Sequence, residues 1–155
     1  KKNNKIIIIE KNKKKIEFLK KNFPKIEFLK NINNLKKNLY DVIYETTGNN
    51  QVIENSYESI NTSGKLILIG VPKYNSKIKI NTLGINYGKK IIGSYGGNIK
   101  PSKDIPKLIN YIINNKINIK NLISGPYKFK DINRIIKKIR VGKLITKPIL
   151  KLDHY

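Results

Sequence analysis

Cysteine is absent from the 155 residues. No disulfide framework and no thiolate metal site can therefore exist in this chain. Histidine occurs once, at His154 beside the end of the chain, where exposure is expected rather than metal ligation. Carboxylates are scarce: Asp and Glu number 10 against 33 Lys and Arg, a formal net charge of +23. Arginine is nearly missing as well, with only Arg134 and Arg140. No apolar run reaches the roughly 18 residues that a membrane-crossing helix needs, and no signal peptide is visible. A cytoplasmic setting without membrane association is expected. The chain opens on Lys1 rather than Met, which points to a segment of something longer.

A charge excess of this size attracts phosphate backbones and anionic surfaces. Here it is almost all lysine, spread through every segment beside abundant Asn and Ile. Those three residues share A/T-rich codons, so a biased genome accounts for the whole profile. Nucleic-acid binders instead cluster arginine and interleave aromatics on one face. No specific nucleic-acid partner is expected.

What is present is a hydrophobic fraction of 39% in organised runs, enough to bury a core. The length permits one domain or two pieces of a larger enzyme. Residues 5–10, a β-branched run closed by Glu10, read as a parallel strand buried on both faces. Residues 13–22 carry Ile16, Phe18 and Leu19 among lysines and read as a helix stopped before Pro24. The hexapeptide KIEFLK at 15–20 recurs at 25–30, read as helix in the first copy and partly strand in the second, too short for a repeat architecture. Residues 31–38 suit a short helix, and Asp41 to Glu45 a strand. Asn49 or Asn50 can cap a helix to about Ile60, with Val52, Ile53 and Tyr57 on its apolar face. Gly64 is expected to close that segment before a buried strand at 65–69. Further strands are expected at 77–80 and 90–95. Alternation at this spacing implies a parallel, right-handed α/β sheet. Beyond Gly97 the spacing predicts a helix from Ser102 to about Asn114, an extended stretch at 122–129, a helix from Asp131 to Gly142 and a last strand at 147–152. A boundary at about residue 96 separates the two regions.

In a doubly wound sheet, ligands bind at the carboxyl ends of the strands. Glu10 stands at one such end, where an acid can accept hydrogen bonds from both hydroxyls of an adenosine ribose and would repel a 2′-phosphate. Thr46-Thr47-Gly48, Gly70-Val71-Pro72 and Gly93 to Gly97 are tight turns at three more, with small residues that let a flat ring approach the backbone. Singly each is an ordinary strand exit; together with Glu10 they point to a nucleotide cleft.

At these residues the sequence resembles the zinc-containing medium-chain alcohol dehydrogenases. The resemblance is carried by YETTGN at 44–49, VIENSYE at 52–58, GKLILIGVP at 64–72, GSYGG at 93–97, DIPKLI at 104–109, LISGPYKFKDIN at 122–133 and VGKLITKPIL at 141–150. They follow the family's order and cover almost the whole chain. The resemblance implies an incomplete Rossmann-like sheet over 1–96, most of an NAD-binding domain, and the end of the catalytic domain over 97–155, a small α+β segment. By the same likeness, Glu10 corresponds to the ribose-binding acid and Lys15 to a lysine on the same ribose. Thr47 and Asn49 match the turn beside the adenine. Ile69, Gly70 and Val71 match the segment against the nicotinamide, and Ser94 and Tyr95 the strand that holds its carboxamide. Lys147 stands where an arginine contacts the pyrophosphate, without arginine's bidentate fork. The 77–80 strand resembles the edge through which family dimers pair.

The departures are equally definite. The family's G-x-G-x-x-G loop and its strand, central in the sheet, would lie upstream of Lys1, as would the Cys and His ligands of the catalytic zinc. Without that strand the units beginning at Lys5 and Asp41 lack a shared ladder partner, and a pyrophosphate lacks its helix N-terminus. The complete protein is thus expected to move hydride between NAD and an alcohol, aldehyde or ketone. The chain itself supplies no acid, base or metal ligand, and activity of the isolated chain is not expected. The alternatives are a non-catalytic truncated remnant, or a basic nucleic-acid-binding module whose binding would fall steeply with salt.

Overall fold

The computed structural model describes residues 5–152. In chain order the elements are β1 (Ile7–Ile9), α1 (Lys13–Asn22), β2 (Glu27–Leu29), β3 (Tyr40–Glu45), α2 (Asn50–Ser59), β4 (Ile60–Leu68), α3 (Leu83–Asn86), β5 (Lys90–Gly93), α4 (Pro101–Asn114), β6 (Ile123–Lys128), α5 (Ile132–Arg140) and β7 (Lys147–Lys151). They gather into two compact units, Leu29–Lys100 and Lys1–Phe28 with Pro101–Tyr155. Compactness therefore divides the chain after Phe28 and Lys100, whereas the boundary expected at about 96 concerns which domain of a dehydrogenase each stretch would serve. None of the described helices is long and apolar enough to cross a membrane.

The unit Leu29–Lys100 is built on a parallel ladder in the order β3-β4-β5. Helix α2 starts where expected, because the Asn49 side chain accepts from the Val52 N–H at 3.2 Å and satisfies an orphan donor of the first turn. Ile53 and Tyr57, four residues apart on one face, meet Ile60 and Leu66 in the core, against Ile43, Leu68 and Ile91. Ile43, Leu66 and Ile91 occupy one rung of the ladder. The next rung, Tyr44, Ile67 and Ile92, points to the other face, where Tyr44 stays 64% exposed and Ile92 40%. The 65–69 strand, expected to be wholly buried, is therefore buried on its α2 face and open on the other.

Two expectations are corrected here. Gly64 does not end the helical segment; it lies inside β4, which runs from Ile60 without a break. A Cβ on it would stand 2.9 Å from the Tyr40 carbonyl oxygen, beside the register shift between Tyr40 and Val42. Glycine thus permits close backbone approach rather than chain termination. The strand expected at 77–80 is not one within this chain, since those residues pair with no ladder. Its alternation is nevertheless used: Ile78 and Ile80 pack on the core, while the Lys77 carbonyl accepts from the Asn50 side chain at 2.7 Å and the Lys79 N–H donates to Glu54 at 2.8 Å. Side chains of α2 take the place of a neighbouring strand.

Lys89 is buried, with 7% exposure. Its ammonium donates to the Tyr57 and Glu58 carbonyls at 3.1 and 3.5 Å, the last turn of α2, where unpaired carbonyls and the negative helix end favour a cation.

In the other unit β1 pairs with β2, and β6 with β7 in parallel. Helix α1 spans the expected residues, with Ile16 buried. Contacts from α1 and its cap to the C-terminal stretch, Asn121 to Asn22 at 2.7 Å and Asn12 to the Gly142 carbonyl at 3.4 Å, explain why these distant segments form one unit. The strand of residues 5–10, expected to be buried on both faces, is only half-buried along Ile7–Ile9, as one ladder neighbour leaves it an edge. Among the described residues its ladder shares no strand with β3-β4-β5. The 31–38 helix contracts to a 3-10 turn at Ile32–Asn34, and β5 ends two residues early, at Gly93. His154 lies outside the described residues.

Leu66 has no exposed surface, so Leu66→Ala is expected to lower unfolding free energy by about 2–5 kcal/mol. Val71, 89% exposed, tolerates the same truncation within about 0.5 kcal/mol. Urea unfolding of both variants checks the pair, and equal losses would contradict this core.

Candidate functional site

Glu45 closes β3 and is 3% exposed. Its Oε1 accepts from the Thr47 N–H at 2.6 Å, the Gly48 N–H at 3.2 Å and the Thr47 hydroxyl. Its Oε2 accepts from Gly48 N–H at 3.1 Å. The Glu45 carbonyl accepts from Ile69 and Gly70 at 2.8 and 3.0 Å. One residue thus holds the turns that leave β3 and β4. Glu45 is not among the residues to which the sequence points. The available signal is an acid two places before a Thr-Gly turn, within reach of that turn's N–H groups.

The two turns meet through backbone. Gly48 has φ +66°, and a Cβ there would lie 2.4 Å from the Val71 carbonyl oxygen. A Cβ on Gly70 would lie 2.2 Å from the Gly48 nitrogen. Thr47, Asn49, Ile69, Gly70 and Val71 are accordingly brought together. The Thr47 hydroxyl also accepts from Asn49 N–H at 3.1 Å, and the Asn49 side chain is occupied by the α2 cap. The turns present outward Ile69 at 47% exposure and Val71 at 89%, beside the exposed Thr46 and Pro72. Ser94, just past β5, donates its N–H to the Leu68 carbonyl at 3.0 Å, which joins it to the same end of the ladder. Its hydroxyl accepts from Gly97 N–H at 3.2 Å, and Tyr95 stands almost fully exposed.

The remaining expected residues belong to the other unit. Glu10 follows β1, and its carboxyl meets the Lys15 ammonium at 2.6 Å and the Asn12 N–H at 3.0 Å. Asn12 caps α1 by accepting from Lys15 N–H at 3.3 Å, so the cap places Lys15 one turn in, facing the acid. Partial burial pushes the Glu10 carboxyl up. The Lys15 hydrogen bond, the Asn12 N–H, the Lys15 charge and the Lys11 N–H together outweigh it, and Glu10 titrates below the ordinary carboxylate value. Lys147 opens β7 opposite Ile123 and is exposed.

A hollow of about 220 Å³ lies at the amino ends of the strands, lined by Asn38, Tyr57, Thr62, Asn81, Tyr87 and Lys89 among others. It is the wrong end of a parallel sheet for a ligand. Its cation already serves α2, and the Tyr57 hydroxyl donates to the Asn81 carbonyl at 2.7 Å. No group of three His, Cys, Asp or Glu that could hold a metal ion occurs among the described residues.

Comparison with known proteins bears on this arrangement. A family model described as zinc-binding dehydrogenase matches residues 2–114. Alcohol dehydrogenase-like 5 of Arabidopsis thaliana is 27% identical over 104 residues, covering 66% of this chain and 27% of the relative. Alcohol dehydrogenase 1 of Petunia hybrida is 23% identical over 111 residues, covering 71% and 29%. The chain therefore spans little more than a quarter of these relatives. The crystal structure of benzyl alcohol dehydrogenase from Acinetobacter calcoaceticus superposes with TM-score 0.82 at 22% identity, over 97% of this chain and 43% of that one. Acetophenone reductase from Geotrichum candidum, in complex with NAD, gives 0.72 at 18% identity, over 93% and 40%. These structural likenesses establish a parallel-sheet α/β fold of Rossmann type.

Gly48→Ala is expected to cost about 1–3 kcal/mol, because it adds a Cβ at positive φ against backbone that cannot yield. Gly93→Ala, with nothing within 4 Å of its Cβ, should be neutral or stabilising by about 0.4–1 kcal/mol; urea unfolding separates them. A second expectation concerns pH. Glu10 binds its proton less readily in the folded chain than unfolded, so its stabilising contribution is complete above the unfolded value and lost as pH falls through the folded one. Lys15→Met should raise the Glu10 titration midpoint, read from the carboxyl carbon by NMR; an unchanged midpoint would refute the pairing.

Proposed function

The chain belongs to the zinc-binding dehydrogenase family, and from that membership we propose that it forms the dinucleotide-contacting part of an alcohol dehydrogenase specific for NAD. The observation that carries this reading is the Glu10–Lys15 pair at a strand end. A carboxyl held in its charged form there can accept from both ribose hydroxyls and disfavours a 2′-phosphate. Lys15 would reach the same ribose. The glycine-built turns give room for a flat ring system, with Thr47 and Asn49 beside adenine and Ile69, Gly70 and Val71 against nicotinamide. Ser94 and Tyr95 would hold the carboxamide through backbone, and Lys147 would meet the pyrophosphate as a point charge.

When bound, NAD supplies the hydride acceptor for an alcohol, or in reduced form the donor for an aldehyde or ketone. This chain's residues position and discriminate the dinucleotide. They do not fit a zinc centre: cysteine is absent and His154 is the only histidine. The zinc ligands of the proposed enzyme would therefore come from outside these residues. The 77–80 stretch, whose backbone joins no ladder here, would pair with its counterpart in a second copy.

The test is an NADH fluorescence titration of the 155-residue chain beside Glu10→Ala and beside NADPH. Saturable binding is expected, weakened about tenfold or more in the variant, as loss of a charge-assisted hydrogen bond implies. NADPH should bind more weakly than NADH, and the chain alone should oxidise no alcohol. A wild-type titration that never saturates, even at millimolar NADH, would remove these residues from dinucleotide contact.

A further inference from the structure

Glu45 touches both strand-end turns, yet it is too buried to meet a ligand. Its carboxyl gathers the Thr47 and Gly48 N–H groups and the Thr47 hydroxyl, and its carbonyl gathers Ile69 and Gly70. We propose that Glu45 is a positioning residue: it locks the turns after β3 and β4 into one platform on which the dinucleotide lies. The role rests on the dinucleotide function proposed above.

The case is geometric. Gly48 and Gly70 leave no space for either turn to slide past the other, since a Cβ on each would already stand within 2.4 Å of the opposite backbone. The turns move together or not at all, and the only side chain that ties down the Thr47–Gly48 backbone from below is Glu45 among the described residues. The Thr47 hydroxyl gives its proton to Glu45 and accepts from Asn49 N–H. It therefore has no proton left for a ligand, and the platform offers its shape, the exposed Ile69 and Val71, and the exposed Thr46. Recognition by shape depends on the two turns being held before the ligand arrives, because any ordering left until then subtracts from affinity.

Glu45→Met keeps the length and removes every acceptor. Glu45→Gln can keep Oε1, which serves three of the four side-chain contacts. Amide hydrogen exchange on the whole chain is the first readout. Glu45→Met should accelerate exchange at Thr47 and Gly48 about tenfold or more while Ile53 and Leu66 keep their protection, and Glu45→Gln should restore most of it. NADH titration is the second: a dissociation constant raised about tenfold or more by Glu45→Met and brought back towards wild type by Glu45→Gln. Should Glu45→Met fail to fold, Thr47→Val, which deletes the hydroxyl donated to Glu45 together with the acceptor of the Asn49 N–H, is expected to show the same two effects more weakly. Wild-type NADH binding that Glu45→Met leaves intact would overturn the positioning role alone. Absence of binding by the wild type would overturn the dinucleotide reading, and this role with it, even if exchange showed the turns pinned.

Discussion

At the ends of β3 and β4 two backbones meet with no side chain between them. The contact demands glycine at 48 and at 70, and it brings the carboxyl ends of the strands flush. Glu45 fills the space beneath, taking the N–H groups that so tight a turn leaves pointing inward. Directly above, Asn49 starts α2, so the helix that covers the sheet is launched from the same turn. Its Ile53 and Tyr57 then reach Ile60 and Leu66, and the core closes. A disturbance at the turn would reach the helix start and the strand ends at once.

Scarce as they are, half of the ten carboxylates have a definite structural use. Glu45 builds the turns, Glu10 answers Lys15, Glu54 holds the 77–80 stretch through Lys79, Asp41 accepts from Asn61 at 2.7 Å and Asp131 pairs with Arg134 at 3.1 Å. Lys89, the buried cation, is stabilised by helix-end carbonyls instead of an acid. A net charge of +23 is thus compatible with a packed fold because the excess lysines extend into water, where screening keeps their mutual repulsion small.

Most elements were legible because their causes are local. Asn12 and Asn49 cap helices at the expected places, and Pro24 and Gly142 stand just past helix ends. The apolar stretches within 41–45 and 65–68 are strands. Where reading and structure part, a partner distant in sequence decides. Gly64 looks like a stop signal but answers to Tyr40 across the ladder. Lys77 to Ile80 alternate like a strand, yet the backbone is held by Asn50 and Glu54. Glu45 reads as an ordinary strand end; Thr47 and Gly48, which its carboxyl gathers, are local, but Ile69 and Gly70, which its carbonyl gathers, come from the turn after another strand.

Composition, period and turn chemistry by themselves determined the α/β class, the helix starts and the lack of thiolate ligands, while the likeness to the dehydrogenases is carried by ordered motifs along the chain. The first three follow because each depends on residue type or on spacing within one turn of helix or one strand. Tertiary structure alone decided that Gly48 and Gly70 interlock, that Glu45 lies beneath both turns, that β4 opens only one face to solvent, and that the segments on either side of Leu29–Lys100 form one unit. Apart from the local hold of the Glu45 carboxyl on Thr47 and Gly48, those outcomes rest on contacts between residues far apart along the chain that only the fold brings together.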